Sequence, residues 1–369
     1  MKVIALAFKK QPVLCIAAVA MLVTCFFVRP DKEYIGYFKW DTLACLFCTL
    51  AVVCGFAAIH TFELAAEIIV RKLSNTRNVI TGVVFITYVG SMLLANDMAL
   101  LTFLPLGYFV LETTGKRKYM AYTFVLQNIA ANLGGMITPF GNPQNLYLYS
   151  YFQIPTLEFM QIMFLPFLTA LILIIICCVL VPREPMSLSN QIDYTFDGPK
   201  TAIYSALFLI SILAVLRVMP YQYATVIVTI GMIIMNRKAL KDVNYPLLAT
   251  FAVFFVFSGN MARITAVQDL FAKIIPGRAL PIGLLCCQFF SNVPSAVMLS
   301  HFTQDYADLL VAVNVGGLGT PIASLASLIT LSEYRRHDKE NLPKYIATFI
   351  GLNFLFLFLI AGVQILINR

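Results

Sequence analysis

Apolar runs long enough to cross a bilayer alternate with short polar connectors along almost the whole chain. They fall at about 12–28, 41–60, 119–137, 159–181, 200–218, 219–236, 243–258, 306–331 and 344–367. At about 20 residues per crossing, each predicts one transmembrane helix. Two further apolar stretches do not fit that length. The first, 79–111, is interrupted by Asn96-Asp97; two crossings would need about 40 residues plus a turn. The second, 280–302, is broken by Ser291-Asn292-Val293-Pro294-Ser295. Each predicts a re-entrant helical hairpin with a polar tip. The expected fold class is an all-α polytopic membrane protein with about nine transmembrane helices, two opposed hairpins and two broken helices.

Composition agrees with that pattern. The chain is 60% apolar and 12% charged, against about a quarter charged in an average soluble domain. The net charge of +8 sits in short loops, where it sets orientation rather than binding nucleic acid. Arg71, Lys72 and Arg77 precede the first hairpin and Lys116, Arg117 and Lys118 follow it, so both ends belong on one face. The clusters at 237–241 and 335–344 are both cytoplasmic only if 280–302 does not cross. The N-terminus is then cytoplasmic and the two hairpins enter from opposite faces. The run after Lys2, Lys9 and Lys10 lacks a small-residue cleavage site and is expected to stay as the first span. Nine scattered cysteines read as small core hydrophobes, and no Cys/His cluster has metal-ligand spacing.

Between span and hairpin lie two amphipathic stretches, 62–73 and 263–275, expected to rest in the membrane interface and brace the hairpins. In the first, Glu63, Glu67 and Arg71 share one helix face. Comparison of the chain with itself reveals a repeat. At an offset of 182, Asn132-Leu-Gly-Gly-Met-Ile-Thr-Pro meets Asn314-Val-Gly-Gly-Leu-Gly-Thr-Pro, and at an offset of 196 the tip Asn96-Asp97 meets Asn292-Val293. The expected organisation is an N-terminal span and loop (1–40), a first repeat (41–182), a linker with scaffold helices (183–242) and a second, inverted repeat (243–369). Inverted repeats of this kind build many secondary transporters.

The chemistry is expected where the helices open. Gly134-Gly135 and Gly316-Gly317, each followed by Thr-Pro, cannot hold a continuous helix, because Pro139 and Pro321 lack the amide donor. Opened backbone at membrane depth offers amides to an anion and free carbonyls to a cation. Thr138, Asn142 and Asn145 in one break face Thr320, Ser324 and Ser327 in the other. Asn96, Ser291 and Asn292 at the tips are neutral partners from which an oxyanion can be released again. Asp97 has no acidic counterpart in the second half. It reads as a site for a coupling proton or cation, or as a cap on the helix that follows. Arg217 is expected to snorkel to the surface, and His60 and His301 to be interfacial. No phosphate-binding Gly-Lys-Ser/Thr loop is present, so ATP is not expected to power the chain.

These motifs, namely Ala95-Asn96-Asp97, Thr138-Pro-Phe-Gly-Asn-Pro-Gln-Asn145, Ser291-Asn292-Val-Pro294 and Thr320-Pro-Ile-Ala-Ser-Leu325, resemble the citrate-transporter-like and arsenite-permease-like branch of the ion transporter superfamily. The resemblance implies a homodimeric secondary carrier whose transport domain moves past a fixed scaffold like an elevator. Carried over by position, Asn96, Thr138, Pro139, Asn142, Ser291, Asn292, Thr320, Pro321 and Ser324 would hold the substrate. Asn96, Asp97, Gly141, Asn145 and Asn292 would couple the ion, with sodium placed at Asn96, Asp97 and Thr138. The sodium-coupled dicarboxylate carriers of this superfamily have Ser-Asn-Thr at both tips. An Asn-Asp first tip looks more like the arsenite-permease and sodium/proton-antiporter side.

The expected function is ion-coupled transport of a small anion across a bacterial inner membrane, with sodium or protons as the coupling ion and no further cofactor. The alternatives are a sodium/proton antiporter using Asp97 and an arsenite or antimonite efflux permease. An intramembrane enzyme would need a catalytic pair at depth, and only Asp97 is deep and acidic.

Overall fold

The computed structural model describes residues 12–61, 64, 73–186 and 197–367. The amphipathic stretch expected at 62–73, with Glu63, Glu67 and Arg71, lies almost wholly outside them. Among the described residues the chain is helical, apart from one isolated bridge between Asn75 and Pro185. Side-chain caps start several helices by accepting from first-turn amides. Asn75 caps at Asn78 N (3.0 Å), Asp197 at Lys200 N (3.1 Å), Asn244 at Leu247 N (3.1 Å) and Asp305 at Asp308 N (3.1 Å). Pro199 and Pro246 occupy first turns, where the missing N–H is no loss.

The helices pack in two groups. One comprises α1 (Pro12–Phe27), α2 (Glu33–Tyr37), α3 (Trp40–Ala58), α9 (Gly198–Val215), α10 (Tyr221–Asn236) and α11 (Tyr245–Met261). The other holds α4 (Thr76–Leu93), α5 (Asn96–Thr113), α6 (Met120–Gly134), α7 (Pro143–Tyr151) and α8 (Thr156–Val179), together with α13 (Ala279–Phe290), α14 (Asn292–Leu299), α15 (Tyr306–Val315), α16 (Leu325–His337) and α17 (Leu342–Ile367). The groups meet chiefly where α11 touches α14 and α3 touches α7. Between α11 and α13, α12 (Thr265–Ile274) turns away from α11 by 89°.

Among the described residues four helices, α3, α8, α9 and α17, are singly long and apolar enough to cross a membrane, and the bent pair α11–α12 reaches the same length and composition only when its two helices are taken together. Apolar side chains cover their outer faces, as with Phe164, Ile172, Ile176 and Val179 on α8. That exposure suits lipid, which is as apolar as the side chains themselves.

Both expected hairpins are helix–turn–helix units, α4–α5 and α13–α14. The first returns to its starting side. Glu184 O accepts from Thr76 N at the start of α4 (2.9 Å), while the Glu184 carboxylate pairs with Lys116 (2.6 Å), Lys118 (2.7 Å) and the Tyr119 hydroxyl (2.6 Å) after α5. Those partners hold the Glu184 carboxyl down at about 2. The next helix in each half approaches its hairpin closely enough to require glycine. A Cβ on Gly134 would lie 2.2 Å from Tyr88 O on α4, and one on Gly316 would lie 2.9 Å from Cys287 Cβ on α13.

Candidate functional site

Each hairpin tip folds back on an asparagine. Asn96 Oδ1 accepts from Asp97 N (3.0 Å), and Asn292 Oδ1 accepts from Val293 N (2.9 Å). Before Asn292, Ser291 adopts φ 70°, a left-handed conformation that a non-glycine residue takes only when its surroundings impose it. Asn292 N and the Ser291 hydroxyl both donate to Ala323 O, at 2.9 and 3.3 Å, which pins the second tip to the second break.

The two breaks form where expected. After α6 a 3-10 turn, Gly135–Ile137, leads into extended Thr138, and the chain stays open until Pro143 starts α7. In the second half 316–324 is open, with Gly319 at φ 103°, and Ser324 caps α16 by accepting from Ser327 N (3.1 Å). Contacts recur at matched positions. Thr138 Oγ1 donates to Met92 O (2.9 Å) and Thr320 Oγ1 donates to Gln288 O (3.2 Å). The threonine pair is related by 182 and the hairpin pair by 196, the offsets found in the sequence.

Part of the opened backbone already has side-chain partners. Asn145 Nδ2 donates to Gly135 O, Met136 O and Thr138 O, each at 3.3 Å. In the other break Gln288 Nε2 donates to Gly316 O and Leu318 O, both at 3.0 Å, and Gln288 Oε1 accepts from Thr320 N (2.9 Å). Thus one side-chain amide enters each break and pairs several backbone groups that would be costly to bury unpaired. Pro139 and Pro321 sit inside the breaks, and Gly141 folds against Gly135, where a Cβ would lie 2.3 Å from Gly135 O.

A network of buried amides joins the halves. Asn96 Nδ2 donates to Asn132 Oδ1 (3.1 Å), and Asn132 Nδ2 to Asn128 O (3.0 Å). Asn142 Nδ2 donates to Asn132 O (3.1 Å) and to Asn314 Oδ1 (3.2 Å). Gln144 Nε2 also donates to Asn314 Oδ1 (3.2 Å), and Asn314 Nδ2 to Asn145 Oδ1 (2.6 Å). A Cβ on Gly317 would fall 3.0 Å from Asn292 Nδ2 and 3.5 Å from Asn132 Oδ1. Asn96 and Asn292, one from each tip, therefore both reach the neighbourhood of Asn132. Two acceptors in this network, Asn142 Oδ1 and Gln144 Oε1, are buried without a partner.

Asp97 faces elsewhere. It is 2% exposed; its Oδ1 accepts from Met98 N (3.0 Å) and its Oδ2 from Asn244 Nδ2 (3.3 Å) on the other helix group. Asn96, Asp97 and Thr138, the residues assigned to sodium, thus bond to three different partners, Asn132, Asn244 and Met92. Among the described residues no group of three or more His, Cys, Asp or Glu could hold a metal ion. Arg217 is exposed, as expected of a side chain that reaches the surface, and its guanidinium donates to the Tyr149 and Ile154 carbonyls and lies 4.2 Å over the Tyr149 ring, at the end of α7.

Sequence reasoning selected Asn96, Asn142, Asn145, Ser291, Asn292 and Ser324, but passed over Asn132, Asn314, Gln144, Gln288 and Asn244. Asn132 and Asn314 were visible as matched members of the repeat. Gln288 and Asn244 carry no local signal beyond being polar beside an apolar run.

Comparison with known proteins places the chain among transporters. The family model described as citrate transporter matches residues 3–311. The chain is 29% identical over 294 residues to an uncharacterized transporter of Methanocaldococcus jannaschii, covering 79% of this chain and 80% of that one. It is 28% identical over 317 residues to the inner membrane protein YbiR of Escherichia coli, covering 83% of each. A shorter match, 26% identical over 131 residues, covers 35% of this chain and 23% of the putative transporter arsB of Dictyostelium discoideum.

Proposed function

The chain belongs to the citrate transporter family, and from that premise we propose that this multi-pass membrane transporter is a secondary carrier of a small anion, driven by sodium or protons. The observation that carries this reading is that Asn96 of the first tip bonds Asn132 while Asn292 of the second tip and Asn132 both lie beside Gly317, so the two tips approach one buried amide cluster that holds no fixed cation. Neutral donors at two half-helix N-termini bind an oxyanion without the tight hold of an arginine. Substrate sits between the tips and breaks, on Asn96, Thr138, Pro139, Asn142, Ser291, Asn292, Thr320, Pro321 and Ser324. The coupling ion acts through Asp97 and the first break, including Gly141 and Asn145.

In this reading the repeats 41–182 and 243–369 are inverted, the hairpins are re-entrant from opposite faces, and the chain crosses nine times with its N-terminus in the cytoplasm. The group α1–α3 with α9–α11 is the scaffold. The group containing both hairpins moves past it as an elevator, in a homodimer of a bacterial inner membrane. That the groups meet chiefly at α11 with α14 and at α3 with α7 supports such sliding.

A second reading is favoured by the unpartnered acceptors Asn142 Oδ1 and Gln144 Oε1. Acceptors call for a cation or a hydroxylated neutral ligand, as in sodium/proton exchange or arsenite efflux. Proteoliposomes offered succinate, citrate, sulfate and arsenite under separate sodium and proton gradients decide between them. Gradient-driven uptake of any of the three anions supports the first reading; movement of arsenite alone, or proton flux driven by sodium without any of these solutes, replaces it with the second.

A further inference from the structure

Beside the second tip a cavity of about 550 Å³ opens between α1, α11, the α13–α14 hairpin and α16. Its polar lining consists of Ser291 and Asn292 at the tip, with Asn244, Thr250 and Ser332; the rest is apolar, including Phe254 and Phe257, and no charged side chain lines it. Asn292 is 3% exposed; its Oδ1 accepts both of its side-chain hydrogen bonds, and its Nδ2 has no hydrogen-bond partner among the described residues. The helices α14 and α16 also begin at this wall, at Asn292 and Leu325.

We infer that the carried anion is an amphipathic monocarboxylate, with its carboxylate at Asn292 and Ser291 and its hydrocarbon body in this cavity. The inference rests on the small-anion reading and narrows it. One carboxylate is served by the free Asn292 amide and by the positive ends of two half-helices, and by the Ser291 hydroxyl once its proton turns from Ala323 O to the ligand. A second or third carboxylate would lie against phenylalanine and leucine with no cation to offset its lost hydration. A hydrocarbon chain in that position gains by leaving water, and the volume lies within the range of small-molecule pockets.

The test uses the purified full chain in proteoliposomes and straight-chain monocarboxylates from propionate to octanoate, with succinate and citrate alongside. Apparent affinity should rise about fourfold per added methylene until the cavity is full. Asn292→Ala should weaken every member by about tenfold, which simple partitioning into the bilayer would not do. Ala20→Trp, which fills the cavity, should flatten the chain-length dependence, and Phe254→Ala, which enlarges it, should move the optimum to longer acids. Should succinate or citrate outbind every monocarboxylate, or affinity stay level along the series, the carrier reading stands and this inference fails. If octanoate affinity ignores both cavity variants while native mass spectrometry finds phospholipid bound to the wild type and lost in Ala20→Trp, the cavity holds lipid and the inference is overturned. If none of the acids is bound or moved, the inference fails, and the small-anion reading fails with it only when sulfate is not carried either.

Discussion

Asp97 Oδ2 takes its one side-chain hydrogen bond from Asn244 Nδ2, 3.3 Å away on the opposite helix group. The acid on the first tip is thus tied to the body past which that tip would have to slide. A change in its charge, by a proton or a cation, alters a bond that holds the two groups together. Asp97→Asn should therefore abolish the dependence of transport on the ion gradient while the protein still elutes as a folded species. Asn244→Ala should weaken that dependence without removing it. Retention of full gradient dependence in Asp97→Asn would reduce Asp97 to a helix cap.

The paired threonines invite a stability measurement. Thr138 and Thr320 donate to the hairpin carbonyls of Met92 and Gln288, so Thr→Val leaves one half-buried carbonyl short of a donor in each half. Each substitution should cost about 1 kcal/mol, and the two should add, since the bonds share no partner. Thermal unfolding in detergent of the two single variants and the double variant measures this. A double variant no less stable than either single one would show that the hydroxyls do not brace the hairpins.

Much of this arrangement was legible because membrane depth makes polarity informative. Asn96-Asp97 and Ser291-Asn292 stand out within apolar runs, and Gly-Gly followed by Thr-Pro marks a helix that must open. The partners were not legible. Gln288 lies in an ordinary apolar helix, and only the approach of α13 to the second break turns its amide toward Gly316 and Leu318. Asn244 reads as a helix cap, which it also is; its bond to Asp97 joins segments far apart in sequence. The role of Asn145 depends on how tightly Gly135 and Gly141 fold the first break, a property of backbone geometry that composition does not encode.

Gly317 gives a test of the meeting point itself. Alanine there would bring a methyl group to 3.0 Å from Asn292 Nδ2, and Asn292 would have to shift. Gly317→Ala should lower substrate affinity several-fold with little loss of thermal stability. Gly362→Ala, where a Cβ meets nothing within 4 Å, should leave affinity unchanged. Equal affinity in both variants would remove the Asn292–Gly317 contact from the site.

Glu184 ties the two ends of the first hairpin together and supplies a pH dependence with a definite sign. Lys116, Lys118 and Tyr119 hold its carboxyl at about 2, below the ordinary value of 4.5. Because the folded value is depressed, the ionised carboxylate stabilises the fold above pH 4.5, and that contribution fades as pH falls toward 2. Glu184→Gln should lower the melting temperature at neutral pH and narrow its gap to wild type as pH drops from 5 to 3. Proteolysis near Lys116 should speed up in the variant, since the loop after α5 loses its anchor to the segment after α8 that carries Glu184. A gap that stays constant over that range would mean that the ion pairs at Glu184 do not hold the hairpin ends.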